Sequence, residues 1–308
     1  KLLEEIKNTD GLMWLPIHNP DDKQKARKIL YSVEKYLDIP VFPDINTFWH
    51  YDDKIAQHYL LEAIEAPTPK TWVFWDYEQA IDWAKTASYP IVHKLACGAS
   101  SSDVSLVHSF QEAKRIIEKN FYGRFPTHQS EKIGTTKKLN KIVNRIKESW
   151  IYLSKEIYPI PTYNWQVEKN YTYFQKFLPN NEFDTRISII GNRAFGFRRW
   201  NRENDFRASG SGLLDYDMTA IDPRCINIAF NISNRCMFQS MAYDFLFEDD
   251  TPVISEISYA FLDNAVYDCP GHWDFQLDWH EGHKWPEEAQ VEDFIVQVKR
   301  HQKFTSYK

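Results

Sequence analysis

Cysteine is sparse in this chain, and the few that occur carry no metal or redox spacing. Cys97, Cys225, Cys236 and Cys269 are spread over 308 residues without a CxxC pair, which points to free thiols in a reducing, cytoplasmic setting. Cys269-Pro-Gly-His-Trp273, with His280 and His283 nearby, matches no strong zinc pattern. No apolar run reaches the length of a transmembrane helix, and no leader pattern opens the chain. The first residue is Lys1 in what reads as mid-helix, so an upstream segment is expected. Positive charge is also short. With 37 Lys and Arg against 43 Asp and Glu, the net charge of −6 argues against sequence-independent nucleic-acid binding. No GK[ST] occurs, which excludes a P-loop.

What remains is an ordinary globular composition, long enough for one large domain or two to three smaller ones. Aromatic residues are plentiful, with 11 Trp, 17 Tyr and 20 Phe, and most are expected in the core. Periodicity divides the chain into four stretches. Residues 1–50 read as a partial N-terminal α/β domain, with a helix at 22–36 between strands at 11–17 and 39–42. Residues 51–125 open with a helix capped by Asp52 or Asp53 and continue as strand 71–75, helix 76–86, strand 89–95, strand 104–107 and a helix from Ser109. Residues 126–168 are basic, with apolar residues at helical spacing over 136–157 and a linker over 158–168. That segment fits a docking face for an acidic substrate or for the membrane surface, and the solvated basic face of a connecting helix has the same pattern. Residues 169–308 are sheet-rich: strands at 171–177, 183–191 and 193–200, a helix near 227–241, a hairpin of 241–247 with 253–258, an irregular stretch over 260–285 and a final helix at 287–300.

Three places carry chemistry. Lys94 ends a strand and is followed by Cys97-Gly-Ala-Ser-Ser-Ser-Asp103, a small polar loop whose backbone N–H groups and ammonium suit phosphate; a surface lysine beside an ordinary turn has the same pattern. Arg198, Arg199, Arg202 and Arg207 lead into Ala208-Ser-Gly-Ser-Gly212, an arrangement that fits a polyanion. In the hairpin, a turn centred on Asp250 pairs Phe247 with Val253 and Asp244 with Glu256. Alternation then sets Asp244, Glu256 and Ser258 on one face, opposite Phe245 and Ile257. Opposed carboxylates repel unless a cation lies between them, and oxygen-only ligands suit magnesium. A solvated acidic edge explains the same pattern equally well.

Taken in order, these stretches resemble the ATP-grasp superfamily. The matching residues are Asp53-Lys54, Pro90-Ile-Val-His-Lys94 with Gly98, Gln175-Lys-Phe-Leu178, Phe183-Asp-Thr-Arg-Ile187, Asp205-Phe-Arg-Ala-Ser-Gly210, and Asp244 with Glu256-Ile-Ser258. They run from about residue 50 to 260 and are similar to the branch of ligases that add glutamate to a ribosomal protein, and to ATP-grasp proteins of bacterial surface-polysaccharide clusters. The resemblance implies an α+β fold in which two subdomains clasp ATP after a short α/β domain. Lys54 and Lys94, with the loop at Gly98 and Ser100, would contact phosphates. Gln175, Lys176, Phe177 and Leu178 would meet adenine, and Asp184 or Glu182 the ribose. Arg207 with Ser209 would lie by the phosphates, Arg186 and Arg199 would hold anions, and Asp244, Glu256 and Ser258 would carry one or two magnesium ions.

The function so implied is a magnesium-dependent ligase that activates a small-molecule or saccharide carboxylate as an acyl phosphate and passes it to an amine or thiol, in surface-glycan biosynthesis. A small-molecule kinase on the same ATP site, or a degenerate nucleotide-binding scaffold, are the alternatives. Three departures bear on turnover: Ser258 stands where the family has Asn, Lys176 where it has Glu, and the phosphate loop is poor in glycine.

Overall fold

Capping residues place the helices largely where their sequence signals lie. The structure, a computed structural model, describes residues 1–16, 19–98, 104–122, 125–126, 167–203 and 205–305. In chain order the elements begin with α1 (Leu2–Ile6), β1 (Leu12–Met13), α2 (Pro20–Tyr36), β2 (Val41–Phe42), α3 (Ile45–Phe48) and α4 (Lys54–Ala63). Of the two candidate caps for α4, Asp53 serves, its carboxylate accepting from Ala56 N at 3.0 Å. Next come β3 (Thr71–Phe74), α5 (Tyr77–Thr86), capped by Asp76, then β4 (Ile91–Lys94), β5 (Val104–Val107) and α6 (Phe110–Tyr122). The basic segment 126–168 and Ser100 lie outside the described residues, apart from Pro126 in β6 (Phe125–Pro126) and the pair Val167–Glu168 in β7.

β8 (Thr172–Lys176) joins the earlier strands instead of the region that follows it. It inserts between β3 and β4, giving a four-stranded sheet of order β3-β8-β4-β5 with every neighbour antiparallel. One face packs on α5 and α6 through Ala80, Ala84, Ala113, Ile117 and Phe174, with Trp83 stacked on Phe174 at 5.1 Å. Alternation sends Val92, Lys94, Tyr173 and Gln175 to the other face.

The second sheet has the order β13-β12-β9-β10-β14-β15. It is built from β9 (Phe183–Ile190), β10 (Arg193–Trp200), β12 (Ser240–Glu248), β13 (Thr251–Ser258), β14 (Gly271–Trp273) and β15 (Trp279–Glu281), with β11 (Leu214–Asp215) alongside β10. The hairpin of β9 and β10 turns at Gly191-Asn192 as expected, Ile190 facing Arg193 across it. Within 260–285, expected to be irregular, β14 and β15 pair closely, and Gly271 leaves no room for a Cβ against the His280 carbonyl. α8 (Asp263–Tyr267) precedes them, and α9 (Pro286–Thr305) closes the described chain.

One helix departs from its expected position. α7 runs Pro223–Cys236, not 227–241. Asp222 caps it, Pro223 starts it, and Phe238 N donates to the Ser233 carbonyl around Met237 at φ 56, so β12 can begin at Ser240. The N-terminal elements share a core with this sheet: Leu30, Val33 and Phe48 belong to the same buried cluster as Ile187, Tyr243 and Ile257.

Candidate active site

The site is written across the large sheet by register. Cross-strand pairing lines up Glu256 on β13, Asp244 on β12, Arg186 on β9 and Phe197 on β10 in one row. Asp184 and Arg199 form the neighbouring pair, two residues along. Directly opposed side chains on one face are in reach of each other, so charge meets charge by construction. Arg186 donates from Nε to Asp244 Oδ1 at 2.7 Å and from Nη2 to Oδ2 at 2.8 Å. Arg199 donates to both Asp184 oxygens at 2.7 and 2.6 Å, and its Nη2 also lies 2.7 Å from Asp244 Oδ2. Burial opposes ionisation of Asp244, yet Arg186 and Arg199 hold its carboxyl well below the usual carboxylate range. Burial instead raises Asp184, against the pull of Arg199.

The turn between β12 and β13 is tighter than the sequence suggests. Asp249 and Asp250, both at positive φ, make a two-residue turn in which Glu248 faces Thr251 and Phe247 faces Pro252 rather than Val253. A register shift follows at Asp244/Phe245, with Ser255 as the extra residue, and this restores Asp244 opposite Glu256. Outside the ladder, the Ser255 carbonyl accepts from Lys94 Nζ at 3.2 Å.

Two lysines, Lys54 from α4 and Lys94 from β4, complete the site. Lys54, in the first turn of α4, donates to the Gly98 carbonyl at 2.9 Å and lies 3.4 Å from Glu256 Oε1. Burial lowers the Lys54 pKa, but Glu256 and Asp52 outweigh it and raise the ammonium above its ordinary value. Lys94 is lowered to about 8, chiefly by burial and secondarily by the Lys54 charge, with Glu256 resisting. Asp52, at φ 50, accepts from Gly98 N at 2.8 Å and pairs with Lys23. Sequence reasoning used this aspartate only as a helix cap.

Two cavities open from this centre. The first encloses about 920 Å³ between the sheets, with Lys94 and Gln175 on one wall, Asp184 and Arg199 on the other, and the crossover Lys176, Phe177 and Leu178 at its end. Arg207 and Ser209 line it too. Arg207 is held by Asp205 and donates to the Val104 carbonyl at 3.3 Å. Phe206, absent from the expected site, meets Phe177 edge to face at 5.7 Å. Asn181, also missed, fastens the crossover by donating to Phe247 O at 3.0 Å and accepting from Phe247 N at 2.8 Å. The second cavity, open to solvent, offers about 1310 Å³ beside Arg186, Gly98, Ser258 and the loop 208–212. Arg199, Ala208, Ser209, Asp244 and Glu256 line both.

Some expected residues take other places. Glu182 is exposed and lines neither cavity, lying just before β9 begins at Phe183. The Lys176 side chain pairs with Glu248. Ser258 Oγ donates to the Ala260 carbonyl at 2.7 Å. The four arginines are not one cluster: Arg198 lies between Phe183 and Trp200 at 4.9 and 5.4 Å and pairs with Asp215, because adjacent strand residues face opposite sides. Cys269 is buried, donates to the Gly196 and Ala265 carbonyls, and its thiol is pushed up to about 12 by burial, the signature of an inert structural cysteine.

No protein-family model matches the chain. The α-aminoadipate–LysW ligase LysX of Saccharolobus solfataricus is 32% identical over 88 residues, which are 27% of this chain and 32% of that protein, so the match spans about a third of the relative's length. The biotin carboxylase–βγ-ATP complex of Campylobacter jejuni matches with a TM-score of 0.55 at 11% identity, over 94% of this chain and 55% of that one. D-alanyl-alanine synthetase A of Vibrio cholerae gives 0.54 at 12% identity, over 92% and 73%. The D-alanine–D-alanine ligase of Bacillus anthracis gives 0.51 at 12% identity, over 97% and 84%. With two antiparallel sheets closing on a cationic cleft, as the sequence resemblance implies, the chain has the ATP-grasp fold.

Proposed function

We propose that this protein is an ATP- and magnesium-dependent ligase that joins a carboxylate to an amine through an acyl phosphate. The observation that carries the reading is the shared boundary of the two cavities. Arg199, Asp244, Glu256 and Ser209 line both, so a phosphoryl group at that boundary is reachable from a nucleotide on one side and an acceptor on the other. Phosphoryl transfer asks for positioning and charge neutralisation, which Lys54, Lys94, Arg199 and Arg207 supply from fixed positions. The names of the proteins with this fold, a biotin carboxylase–ATP complex and two D-alanine ligases among them, support the same reading.

The donor set fits magnesium. Glu256 is half-buried, and among the described residues it is contacted by Lys54 alone, at 3.4 Å, which leaves carboxylate lone pairs facing the cleft. Glu256 would hold the ion with Asp244, whose charge Arg186 and Arg199 already share, and Ser258 would lie at the far edge. Bound there, magnesium supplies further neutralisation of phosphate charge. In the cleft the crossover 176–178 would take the adenine beside Phe177 and Phe206, Asp184 is the ribose candidate that lines the cavity, and Gly98 would approach the phosphates from the side of Lys54.

In the reaction, a carboxylate oxygen of the acceptor bonds to the terminal phosphorus while the bond to the ADP oxygen breaks. The amine then bonds to the acyl carbon, inorganic phosphate leaves, and the amine loses a proton. Hydroxylamine, a small strong nucleophile, tests this: with ATP and an accepted acid it should give the hydroxamate, ADP and phosphate. A stable phosphorylated product instead identifies a kinase, and nucleotide binding without any turnover identifies a scaffold.

A further inference from the structure

The row Glu256, Asp244, Arg186, Phe197 runs from charge to hydrocarbon, and the second cavity repeats that gradient in three dimensions. Its inner end has the guanidiniums of Arg186 and Arg199. Phe197, Phe261, Ala265, Leu214 and Leu262 line the cavity as well. Leu262 is 72% exposed and Leu214 37%, so apolar surface is left open to water at the mouth.

Among the described residues, several polar groups that line this cavity are already held by other partners. Both Asp52 oxygens are taken, one by Gly98 N and one by Lys23. Gln57 donates to the His50 carbonyl, Ser258 to the Ala260 carbonyl, and Ser211 Oγ accepts from Leu213 N. An ammonium, a second carboxylate or a ring of hydroxyls set against Phe197, Phe261, Leu214 and Leu262 would lose its water to hydrocarbon, which is unfavourable. A carboxylate with an apolar body fits better: its head meets the arginine N–H groups that Asp184 and Asp244 leave over, and its body covers the leucines.

We infer that the acceptor is a carboxylic acid with an apolar, uncharged body, aliphatic or aromatic, and not an amino acid or an acidic sugar. This rests on the ligase reading, in which the second cavity is the acceptor site. Arg186 and Arg199 orient the carboxylate toward the shared boundary, and Phe197, Phe261 and Leu262 select the body behind it.

The test uses the full chain with magnesium and a non-hydrolysable ATP analogue, measuring the affinities of butanoate, hexanoate, octanoate, glutamate and glucuronate by calorimetry. Each methylene from butanoate to hexanoate should tighten binding about four-fold, the equivalent of ~0.8 kcal/mol per buried CH2. Glutamate and glucuronate should bind no better than butanoate. In Leu262→Asp the octanoate-to-butanoate affinity ratio should fall about ten-fold. Equal affinity along the acid series, or preference for glutamate or glucuronate, overturns the inference while leaving the nucleotide cleft standing. No binding of the analogue overturns the ligase reading and the acceptor assignment with it.

Discussion

Asp244 and Glu256 face each other across β12 and β13 because the extra residue Ser255 offsets a turn one residue tighter than the sequence suggests. Without that bulge the tight turn would set Asp244 against Ser255. The bulge also frees the Ser255 carbonyl to hold Lys94, so one irregularity aligns two carboxylates and anchors a cation.

Glu256 is the carboxylate of this pair with an open side toward the cleft, and its protein contact to Lys54 is long. Glu256→Gln takes from the buried Lys54 ammonium its nearest carboxylate and should cost about 1–3 kcal/mol of stability without unfolding the protein. Its stabilisation by ATP should lose its dependence on magnesium. Thermal melts with ATP in the presence of magnesium or a chelator check this; a magnesium-dependent shift that survives the substitution removes Glu256 from the metal site.

Arg199 behaves differently, because two buried carboxylates depend on it. Arg199→Met strands Asp184 and leaves Asp244 with Arg186 alone, and should destabilise the fold by about 3–5 kcal/mol. Adding Asp184→Asn should recover part of the loss, since it removes the stranded charge. Lysine at 199 should rescue poorly, as one ammonium cannot reproduce the fork that reaches both acids. Urea denaturation of the single and double variants measures each step.

Much of the frame was legible because its signals are local. Asp53 and Asp76 cap their helices, Gly191-Asn192 turns its hairpin, and alternation set Asp184 and Arg186 on one charged face. What escaped is what local signals cannot carry. β8 lies between β3 and β4 by long-range pairing that no periodicity encodes. Arg198 and Arg199 look equivalent in a list of arginines, yet one strand step separates an exterior aromatic clamp from the site. The left-handed Asp52 turns its carboxylate to Gly98 instead of capping α4, a choice that depends on the loop it meets.

His50 is buried between Phe238 and Trp49, with ring centroids at 5.2 and 5.5 Å, and neither ring nitrogen has a partner among the described residues. Burial, with the nearby Arg27 charge, lowers it to about 4; burial also takes His93 to about 4. Between pH 6.5 and 4 the unfolded chain then binds more protons than the folded one, so stability falls as pH falls through that window. His50→Phe should raise stability at pH 7 by about 1–3 kcal/mol, by removing unsatisfied polar atoms, and should flatten the acid limb. Melting temperatures of both proteins from pH 7 to pH 4 decide it; parallel curves would mean that His50 does not carry the acid sensitivity.

Lys94 sets stability against binding. Burial lowers its ammonium to about 8 in the folded chain, against the ordinary lysine value of 10.5. Below pH 8 both states hold the proton and the burial penalty is present in full. From 8 to 10.5 the folded lysine is neutral while the unfolded one is still charged, so unfolding becomes harder as pH rises. Lys94→Met should therefore stabilise the protein at pH 7 by an amount on the order of 3 kcal/mol, with the advantage fading toward pH 10.5. ATP should show the opposite preference. The parent's affinity should fall by about an order of magnitude as pH rises through 8 and the ammonium is lost, whereas Lys94→Met should bind weakly with no such step. Urea melts at pH 7 and 9.5, paired with ATP titrations at the same pH values, separate the two effects. A parent whose ATP affinity is flat across pH 8, beside a variant that is less stable at pH 7, would show that Lys94 is a structural lysine and not a phosphate ligand.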